Sequence, residues 1–238
     1  MHIKGLEHVQ PSESVREELQ GRNLLAFSRG KDALAAWIAM MESGHDVVPF
    51  HMTTVPGLDF IEESLAYYER KMGTKIIQVP HNSLARHISG LLFQPPGRLA
   101  ICESTPMFEK GPWEREWVAE ALEAKYDTDW LATGVRAADS PQRYTHVKIR
   151  GPINENTGTF LPVWDWGAEE LEWSFKRHDI KLPVDYQLWG RTFDGLDARF
   201  MLPLRDRFPK DYQKVLEWFP LLEADIFRHE VVMGKGGL

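Results

Sequence analysis

The chain has 238 residues, of which 43% are hydrophobic and 26% charged, and its formal net charge is −7. This balance is that of a globular protein with a sizeable core, and it disfavours a protein that coats nucleic acid, whose binding face is basic. The single cysteine, Cys102, excludes an internal disulfide and cannot by itself hold an iron–sulfur cluster or a zinc ion. No apolar run reaches the roughly 18 residues of a membrane span, and the first residues lack a signal peptide's apolar stretch, so we expect a cytoplasmic protein.

Short apolar runs alternate with helical segments along most of the chain. The apolar runs predict strands at residues 23–28, 46–51, 75–79, 98–102 and 130–133. Helical periodicity predicts helices at residues 33–41, 59–72, 113–126, 168–178 and 212–219. This alternation predicts an α/β fold, with a doubly wound, mostly parallel sheet and helices on both of its faces. Residues 1–22 are expected to form an N-terminal arm, residues 23–183 the α/β domain, and residues 184–238 a short C-terminal extension packed on it.

The loop between the first strand and the first helix has the composition of a phosphate-binding turn. It consists of Ser28, Arg29, Gly30, Lys31 and Asp32. Backbone N–H groups and the positive end of a helix converge at such a turn, which suits an anion. Gly30 lets the backbone approach a ligand closely, Lys31 offers a mobile positive charge, and Ser28 offers a hydroxyl donor. The alternative interpretation is an ordinary strand–helix turn.

A second group of candidate residues follows the strand at residues 130–133. Gly134, Arg136 and Arg143 lie there, and guanidinium groups hold phosphate or sulfate through paired hydrogen bonds. Ligands of parallel sheets bind beyond the carboxyl ends of the strands, so we expect Arg136 and Arg143 to contact an anion. A solvated face, or salt bridges to Asp139 and nearby acids, is the alternative. Thr53, after the second strand, is expected to line the same pocket by its position.

Three segments in this order resemble the PAPS reductase-like (sulfonucleotide reductase) branch of the PP-loop, or adenine nucleotide alpha hydrolase, superfamily. Ser28, Gly30 and Asp32 match the family's Ser-Gly-Gly-x-Asp-Ser loop, with Arg29 in place of a glycine and Ala33 in place of a serine or threonine. Residues 134–143 resemble its Gly-[Ile/Leu/Val]-Arg-x-x-[Glu/Asp]-Ser-x-x-Arg motif. Residues 161–166 resemble its Pro-[Ile/Leu]-x-Asp-Trp element, and residues 183–190 resemble the Asn-Pro-x-Tyr region beyond it.

The resemblance implies that residues 23–183 form a nucleotide-binding domain of the adenine nucleotide alpha hydrolase type. Its ligand would be ATP or a related adenine nucleotide, accompanied by Mg²⁺, and its activity the adenylation of a second substrate, as in a transferase. It also implies that Asp165 shapes the nucleotide side of the pocket. The position of Asp165 just before a predicted helix favours a different role, that of the cap of this helix. The residues assign no catalytic group and no metal ligand.

The chain lacks the C-terminal cysteine with which sulfonucleotide reductases attack sulfur. A thiolate nucleophile has no substitute in the final residues, so reduction of PAPS or APS becomes the second hypothesis, and no iron–sulfur cluster is expected. Cys102 is interpreted as a buried, unreactive thiol. A non-catalytic module that binds a nucleotide or a partner is the third hypothesis. The expected partner is a small nucleotide rather than a membrane; nucleic acid is disfavoured by the net charge, and a homodimer stays open.

Overall fold

The computed structural model describes residues 3–100 and 115–235, and Cys102 lies outside them. The described strands are β1 (Arg22–Ala26), β2 (Asp46–Thr53), β3 (Ile77–Pro80), β4 (Leu131–Thr133), β5 (Ile153–Asn154) and β6 (Thr159–Phe160). They form one sheet in the order β3-β2-β1-β4-β6-β5. β1 pairs parallel with β2 and β4, and β4 pairs parallel with β6, whereas β5 and β6 are antiparallel.

Helices connect and surround these strands. They are α1 (Ser12–Glu18), α2 (Lys31–Glu42), α3 (Asp59–Met72), α4 (Asn82–Ser89), α5 (Arg115–Tyr126), α6 (Pro141–Arg150), α7 (Ala168–Arg177), α8 (Asp185–Trp189), α9 (Ala198–Arg207), α10 (Pro209–Trp218) and α11 (Leu222–Lys235). Short 3-10 turns occur at Pro96–Arg98, Ala137–Asp139 and Glu155–Thr157. Among residues 3–100 and 115–235, no helix combines the length and the apolar character needed to cross a bilayer.

α2 is a largely buried helix, and its sequence explains its burial. Alanines separate its larger apolar side chains, which gives high helix propensity and lets neighbouring elements pack closely. Residues 33–40 are all buried, with Trp37 fully enclosed. The helix begins after Gly30 and ends at Glu42, and the N–H of the following residue, Ser43, donates to the Ala39 carbonyl. The predicted helix at residues 33–41 is therefore confirmed, with slightly wider bounds.

Helices cover both faces of the sheet, as predicted. Adjacent residues of a strand point to opposite faces. On one face Leu24 packs with Phe50, with Leu131 and with Val118 and Leu122 of α5. On the other face the ring of Phe27 contacts the rings of Trp37 in α2 and Tyr68 in α3, with centroids 4.9 and 5.5 Å apart. The predicted doubly wound α/β class, with a mostly parallel sheet, is confirmed.

The N-terminal residues pack against the segment that follows β4. Leu6 is buried together with Ala137, Val147 of α6, and Leu161 and Trp164. The Tyr144 hydroxyl donates to the Lys4 carbonyl at 3.0 Å. Leu6, in the segment that was predicted to form an N-terminal arm, is therefore part of a hydrophobic cluster.

The chain divides into two compact units. The first comprises residues 1–52, 67–79 and 116–183, and the second comprises residues 53–66, 80–115 and 184–238. The second unit has an aromatic core in which the ring of Phe60 contacts the rings of Trp189, Phe193 and Phe208, with centroids 5.3 to 5.9 Å apart. The domain boundaries given by the sequence analysis stay a prediction.

One predicted strand is wrong over its described residues. The prediction placed a strand at residues 98–102, but Pro96–Arg98 form a 3-10 turn and residues 99 and 100 are helical. Two consecutive prolines, Pro95 and Pro96, explain the difference. Proline lacks an N–H and fixes φ near −65°, which favours the first turn of a helix over a strand.

Candidate functional site

The site lies where β1 and β4 end side by side. These parallel neighbours are in register at their last residues, with Ala26 opposite Thr133. Within the sheet, β1 has two neighbours: β2, which follows it in the chain, lies along one edge of β1, and β4 lies along the other edge. This is the topological switch point of a doubly wound sheet, and the crevice outside the carboxyl ends of two such strands is where ligands bind.

Short-range hydrogen bonds fix the loop after β1. The Gly30 N–H donates to the Ser28 Oγ at 3.3 Å, and the Leu34 N–H donates to the Gly30 carbonyl at 2.9 Å. Gly30 has φ −72° and ψ 158°, the extended conformation of a residue that precedes a helix. Ser28 is exposed. α2 therefore begins directly after this loop, and the positive end of a helix is an arrangement that suits an anion.

Arg29 has a left-handed backbone conformation, at the position where the motif that the loop resembles has a glycine. Its φ is 63°, in the left-handed region that costs a non-glycine residue roughly 1–2 kcal/mol. Its side chain is only 1% exposed, so the added charge lies inside the protein and is not solvated. The loop thus has, at Arg29, a backbone conformation that favours glycine, and the arginine side chain there is buried.

His51 supports the same loop from β2. Its Nδ1–H donates to the carbonyl of Phe27 at 2.9 Å, next to Ser28, and its ring is buried. The sequence analysis missed this role, because strand pairing brings together residues 24 positions apart and no local pattern signals the contact.

Gly134 brings the loop after β4 against the start of α2. A Cβ at this position would lie 2.5 Å from the Ala33 nitrogen and 2.5 Å from the Asp32 carbonyl carbon, both of which are backbone atoms. Only a glycine permits this approach. The contact fixes the Arg136 loop against the first turn of α2, which carries Lys31.

Five charged side chains meet at this contact, and we call them the charge cluster: Lys31, Asp32, Arg136, Asp139 and Arg143. Arg136 donates from Nε to Asp32 Oδ1 at 2.6 Å and from Nη2 to Asp139 Oδ1 at 2.5 Å. Lys31 donates to both carboxylate oxygens of Asp32, at 3.0 and 2.9 Å, and its Nζ lies 3.9 Å from Asp139 Oδ1. Arg143 Nη1 donates to Asp139 Oδ2 at 2.5 Å. Three cations thus face two carboxylates, and the cluster carries net positive charge.

The three cations differ in their access to solvent. The Arg136 side chain is 8% exposed, and its remaining terminal nitrogen donates to the Trp166 carbonyl at 3.2 Å. Lys31 and Arg143 are 36% and 45% exposed. Lys31 and Arg143 are consequently the cations that a ligand can reach, and the geometry of Arg136 is that of a brace between Asp32 and Asp139. Direct contact of Arg136 with an anion stays a prediction.

Thr53 is the last residue of β2 and is assigned to the second compact unit. It is buried, and its carbonyl accepts a hydrogen bond from the His81 N–H at 2.9 Å. The prediction placed it after the strand, but β2 runs two residues further than its apolar pattern. Its pocket-lining role stays a prediction.

The cap expected at Asp165 is wrong. The residue that precedes α7 is Gly167, whose N–H donates to Glu170 Oε2 at 2.8 Å. Asp165 instead accepts a hydrogen bond from the Ser12 N–H through Oδ2, at 3.3 Å. Its carboxylate therefore ties the segment before α7 to the start of α1.

The charge cluster does not fit a resident metal ion. Lysine and arginine already hold both carboxylates, and residues 3–100 and 115–235 contain no group of three side chains suited to bind a metal. Magnesium commonly binds through one or two carboxylates together with substrate phosphates. A magnesium ion thus fits here only as a companion of a phosphate ligand, and we derive no step through it.

Comparisons with known proteins give distant relatives. No family model matches the chain. It is 24% identical over 257 residues to an uncharacterized 37.8 kDa protein of Escherichia phage 186, covering 85% of this chain and 75% of that protein.

Two solved structures are similar at low levels. The NH3-dependent NAD synthetase from Campylobacter jejuni subsp. jejuni NCTC 11168 gives a TM-score of 0.45 with 12% identity, covering 91% of each chain. A predicted subunit of tRNA methyltransferase from Methanocaldococcus jannaschii DSM gives a TM-score of 0.36 with 16% identity, covering 82% of this chain and 92% of that one. Neither similarity assigns a ligand to this chain.

Proposed function

We propose that this chain binds ATP through its phosphates at the charge cluster and activates a second substrate by adenylation. The observation that carries the proposal is the meeting of Lys31, Arg136 and Arg143 with the opening of α2, at the ends of two neighbouring parallel strands. The resemblance of residues 28–32 and 134–143 to PP-loop motifs supports ATP as the particular phosphate ligand.

The phosphates would contact the two accessible cations and the backbone of the loop. The Arg143 side chain is 45% exposed, whereas that of Asp139 is only 14% exposed, so the ion pair between them is partly buried. A phosphate oxygen would bind the exposed part of the Arg143 guanidinium group, next to its hydrogen bond with Asp139. Asp139 also keeps its hydrogen bond from the buried Arg136, so the brace stays intact.

In the proposed reaction an oxygen of the second substrate attacks the α-phosphorus of ATP. A new O–P bond forms, the bond between the α-phosphorus and the bridging oxygen breaks, and its electron pair leaves with pyrophosphate. Lys31 and Arg143 would stabilise the charge that grows on this leaving group, which requires positioning and electrostatics rather than a general base.

Ligand-dependent thermal unfolding tests the binding step. We expect ATP and inorganic pyrophosphate to raise the Tm of the full chain and adenosine to raise it far less, because the phosphates supply most of the contacts. A ligand present at 100 times its Kd stabilises the native state by about 2.7 kcal/mol. An equal shift with adenosine and ATP, or no shift with any of them, contradicts phosphate binding at the cluster.

Isotope exchange between ATP and pyrophosphate tests the chemical step. Exchange that depends on one added class of substrate would support adenylation and identify that class. Binding of ATP without any exchange would favour the non-catalytic module instead. Release of sulfite from PAPS in the presence of thioredoxin would favour the sulfonucleotide reductase, whose thiol would then have to be Cys102.

A further inference from the structure

α11 has two apolar faces, and only one of them is packed against the rest of the protein. Leu222 and Ile226 form the packed face and are fully buried. On the opposite face Ala224, Phe227 and Val231 are exposed, Phe227 to 67% of its surface. A helix on the surface of a protein normally has one apolar stripe, and a helix that is apolar all round is normally buried. The exposed stripe therefore has the composition of a contact surface.

The exposed stripe has the period of a coiled coil. Ala224 and Val231 are seven residues apart, and Phe227 lies between them, so the three occupy positions a, d and a of a heptad. A β-branched residue such as Val231 at an a position is typical of two-stranded coiled coils. α11 has 14 residues, too few for a stable isolated helix, but its buried face fixes it in the protein. The pattern favours one further helix as the partner.

The charges beside the stripe match a second copy of the same helix. Glu223 occupies position g and Arg228 position e, on the two sides of the stripe. In a parallel pair, the g residue of one helix faces the e residue of the other, so Glu223 of each copy would meet Arg228 of the other copy. In an antiparallel pair identical sides face each other, which would place Glu223 beside Glu230 of the other copy. The charges therefore favour the parallel pair.

The contacts within the chain leave the pair of Glu223 and Arg228 accessible. Arg228 donates to Asp225 Oδ1 at 2.5 Å, but its side chain is 79% exposed, and a guanidinium group has five N–H donors. Glu223 is exposed. Glu230 is held by Arg205 of α9, which donates to its two carboxylate oxygens at 3.2 and 2.7 Å. Arg228 can thus bind a second carboxylate without losing the first.

We propose that two copies of this chain associate through α11, in parallel, around a two-fold axis that runs along the two helices. Phe227 of each copy packs on Phe227 of the other, and Ala224 and Val231 form the layers on either side. Two heptads bury less surface than a standard interface, so the dimer is weak and its population depends on concentration. The proposal uses no residue of the charge cluster and does not rest on ATP binding.

Sedimentation velocity of the full chain, without nucleotide, tests the association. Between about 1 and about 500 µM we expect the sedimentation coefficient to rise from that of a monomer towards that of a dimer, because small interfaces bind weakly. Phe227→Ala is expected to weaken the dimer about 10-fold or more, since it removes the central aromatic contact. The control is Trp173→Ala, which removes another exposed aromatic side chain, on α7, and should leave the dimer unchanged.

Three results of this experiment would overturn the proposal. The first is a chain that stays monomeric at every concentration, and the second is equal association of the wild type and Phe227→Ala. The third is a dimer that Trp173→Ala abolishes, which would place the interface on α7. Binding of a monomeric chain to phosphatidylcholine vesicles, lost in Phe227→Ala, would likewise overturn it and assign the stripe to a lipid surface.

A charge exchange tests the parallel arrangement. Glu223→Arg alone and Arg228→Glu alone each place like charges opposite each other, and each is expected to weaken the dimer about 5-fold or more. The double variant carries both substitutions, restores opposite charges across the interface and is expected to recover most of the affinity. Both positions are exposed, so the variants are expected to fold, which circular dichroism verifies. Unchanged affinity in the single variants, or no recovery in the double variant, would refute the parallel pairing.

Discussion

Gly134 lies where two stretches of backbone approach too closely for any side chain. A Cβ there would lie 2.5 Å from the Ala33 nitrogen, and neither backbone segment can move without displacing α2. We expect Gly134→Ala to destabilise the native state by about 2 kcal/mol or more, which lowers the Tm by about 4 °C or more in a chain of this size. Thermal unfolding followed by circular dichroism measures the change.

Gly97→Ala is the control for that variant. A Cβ at Gly97 meets nothing within 4 Å, so the same chemical change is expected to leave the Tm within about 1 °C of the wild type. If both variants melt alike, the contact between the Arg136 loop and α2 is looser than its geometry indicates.

His45 makes the stability of the first unit depend on pH. Its Nδ1 accepts from Asn23 Nδ2 at 2.9 Å, and its Nε2–H donates to the Arg16 carbonyl at 2.7 Å, so the native ring is neutral. Burial lowers the pKa of His45 below its ordinary value of 6.5, against the opposing effect of the Arg16 carbonyl. The unfolded chain therefore binds a proton at His45 more readily than the native chain does. The free energy of unfolding consequently falls as the pH drops below about 6.5.

Urea unfolding between pH 7.5 and 5.5 measures this dependence (about one pH unit either side of the ordinary histidine pKa). We expect His45→Gln to make the loss of stability on acidification shallower, and His146→Gln, at an exposed position, to leave it unchanged. Burial also lowers the pKa of His81 and of His87, so part of the dependence persists in His45→Gln. A slope unaffected by His45→Gln would show that this ring binds a proton as readily in the native chain as in the unfolded chain.

Arg29 illustrates what a local motif reveals and what it leaves out. The match to the phosphate-loop pattern located the turn, and the backbone at Arg29 has the positive φ that the motif's glycine permits. The residue type alone does not tell whether this charge is solvated or buried, since a motif records neither burial nor the packing around it. The buried side chain is therefore a finding of the structure.

At the scale of elements, α3 depends on a carboxylate from a distant helix. Asp211 of α10 accepts hydrogen bonds from the backbone N–H groups of Asp59 at 2.7 Å and Phe60 at 3.2 Å, and it is 2% exposed. Without this carboxylate, two N–H groups at the start of α3 lose their hydrogen-bond acceptor. We expect Asp211→Ala to cost about 2 kcal/mol of stability, measured by chemical unfolding.

Asp206→Ala is the matched control, because Asp206 is largely exposed and its pair with Arg205 spans 3.8 Å. Its removal is expected to change stability by less than about 0.5 kcal/mol. Similar losses in both variants would mean that α3 is stabilised by packing rather than by the Asp211 cap.

The elements with strong local patterns were predictable, and the others were not. β1 and α2 follow from an apolar run and an alanine-rich helix, and α3 has the predicted bounds of residues 59–72. β5 and β6 have two residues each, too few for any periodicity, and they form through pairing with each other and with β4. The apolar run at residues 98–102 was misleading, because the prolines before it favour a helical turn.

For the whole molecule, the strand order determines which loops meet. The sequence predicted both halves of the candidate site, since loops after parallel strands open at the same edge of a sheet. It could not decide between anion contact and salt bridges for the arginines. Asp32 and Arg136 lie 104 positions apart, and only the adjacency of β1 and β4 places them 2.6 Å from each other. The same topology makes Arg143, rather than Arg136, the accessible guanidinium group.

Calorimetric titration of ATP into Arg143→Ala, with Lys148→Ala as control, tests the central claim most directly. Both substitutions remove one exposed cation from α6, but only Arg143 belongs to the charge cluster. If the cluster holds the phosphates, Arg143→Ala weakens ATP binding about 10-fold or more and Lys148→Ala leaves it within about twofold. Equal affinities in the two variants would place the phosphates elsewhere and contradict the proposed site.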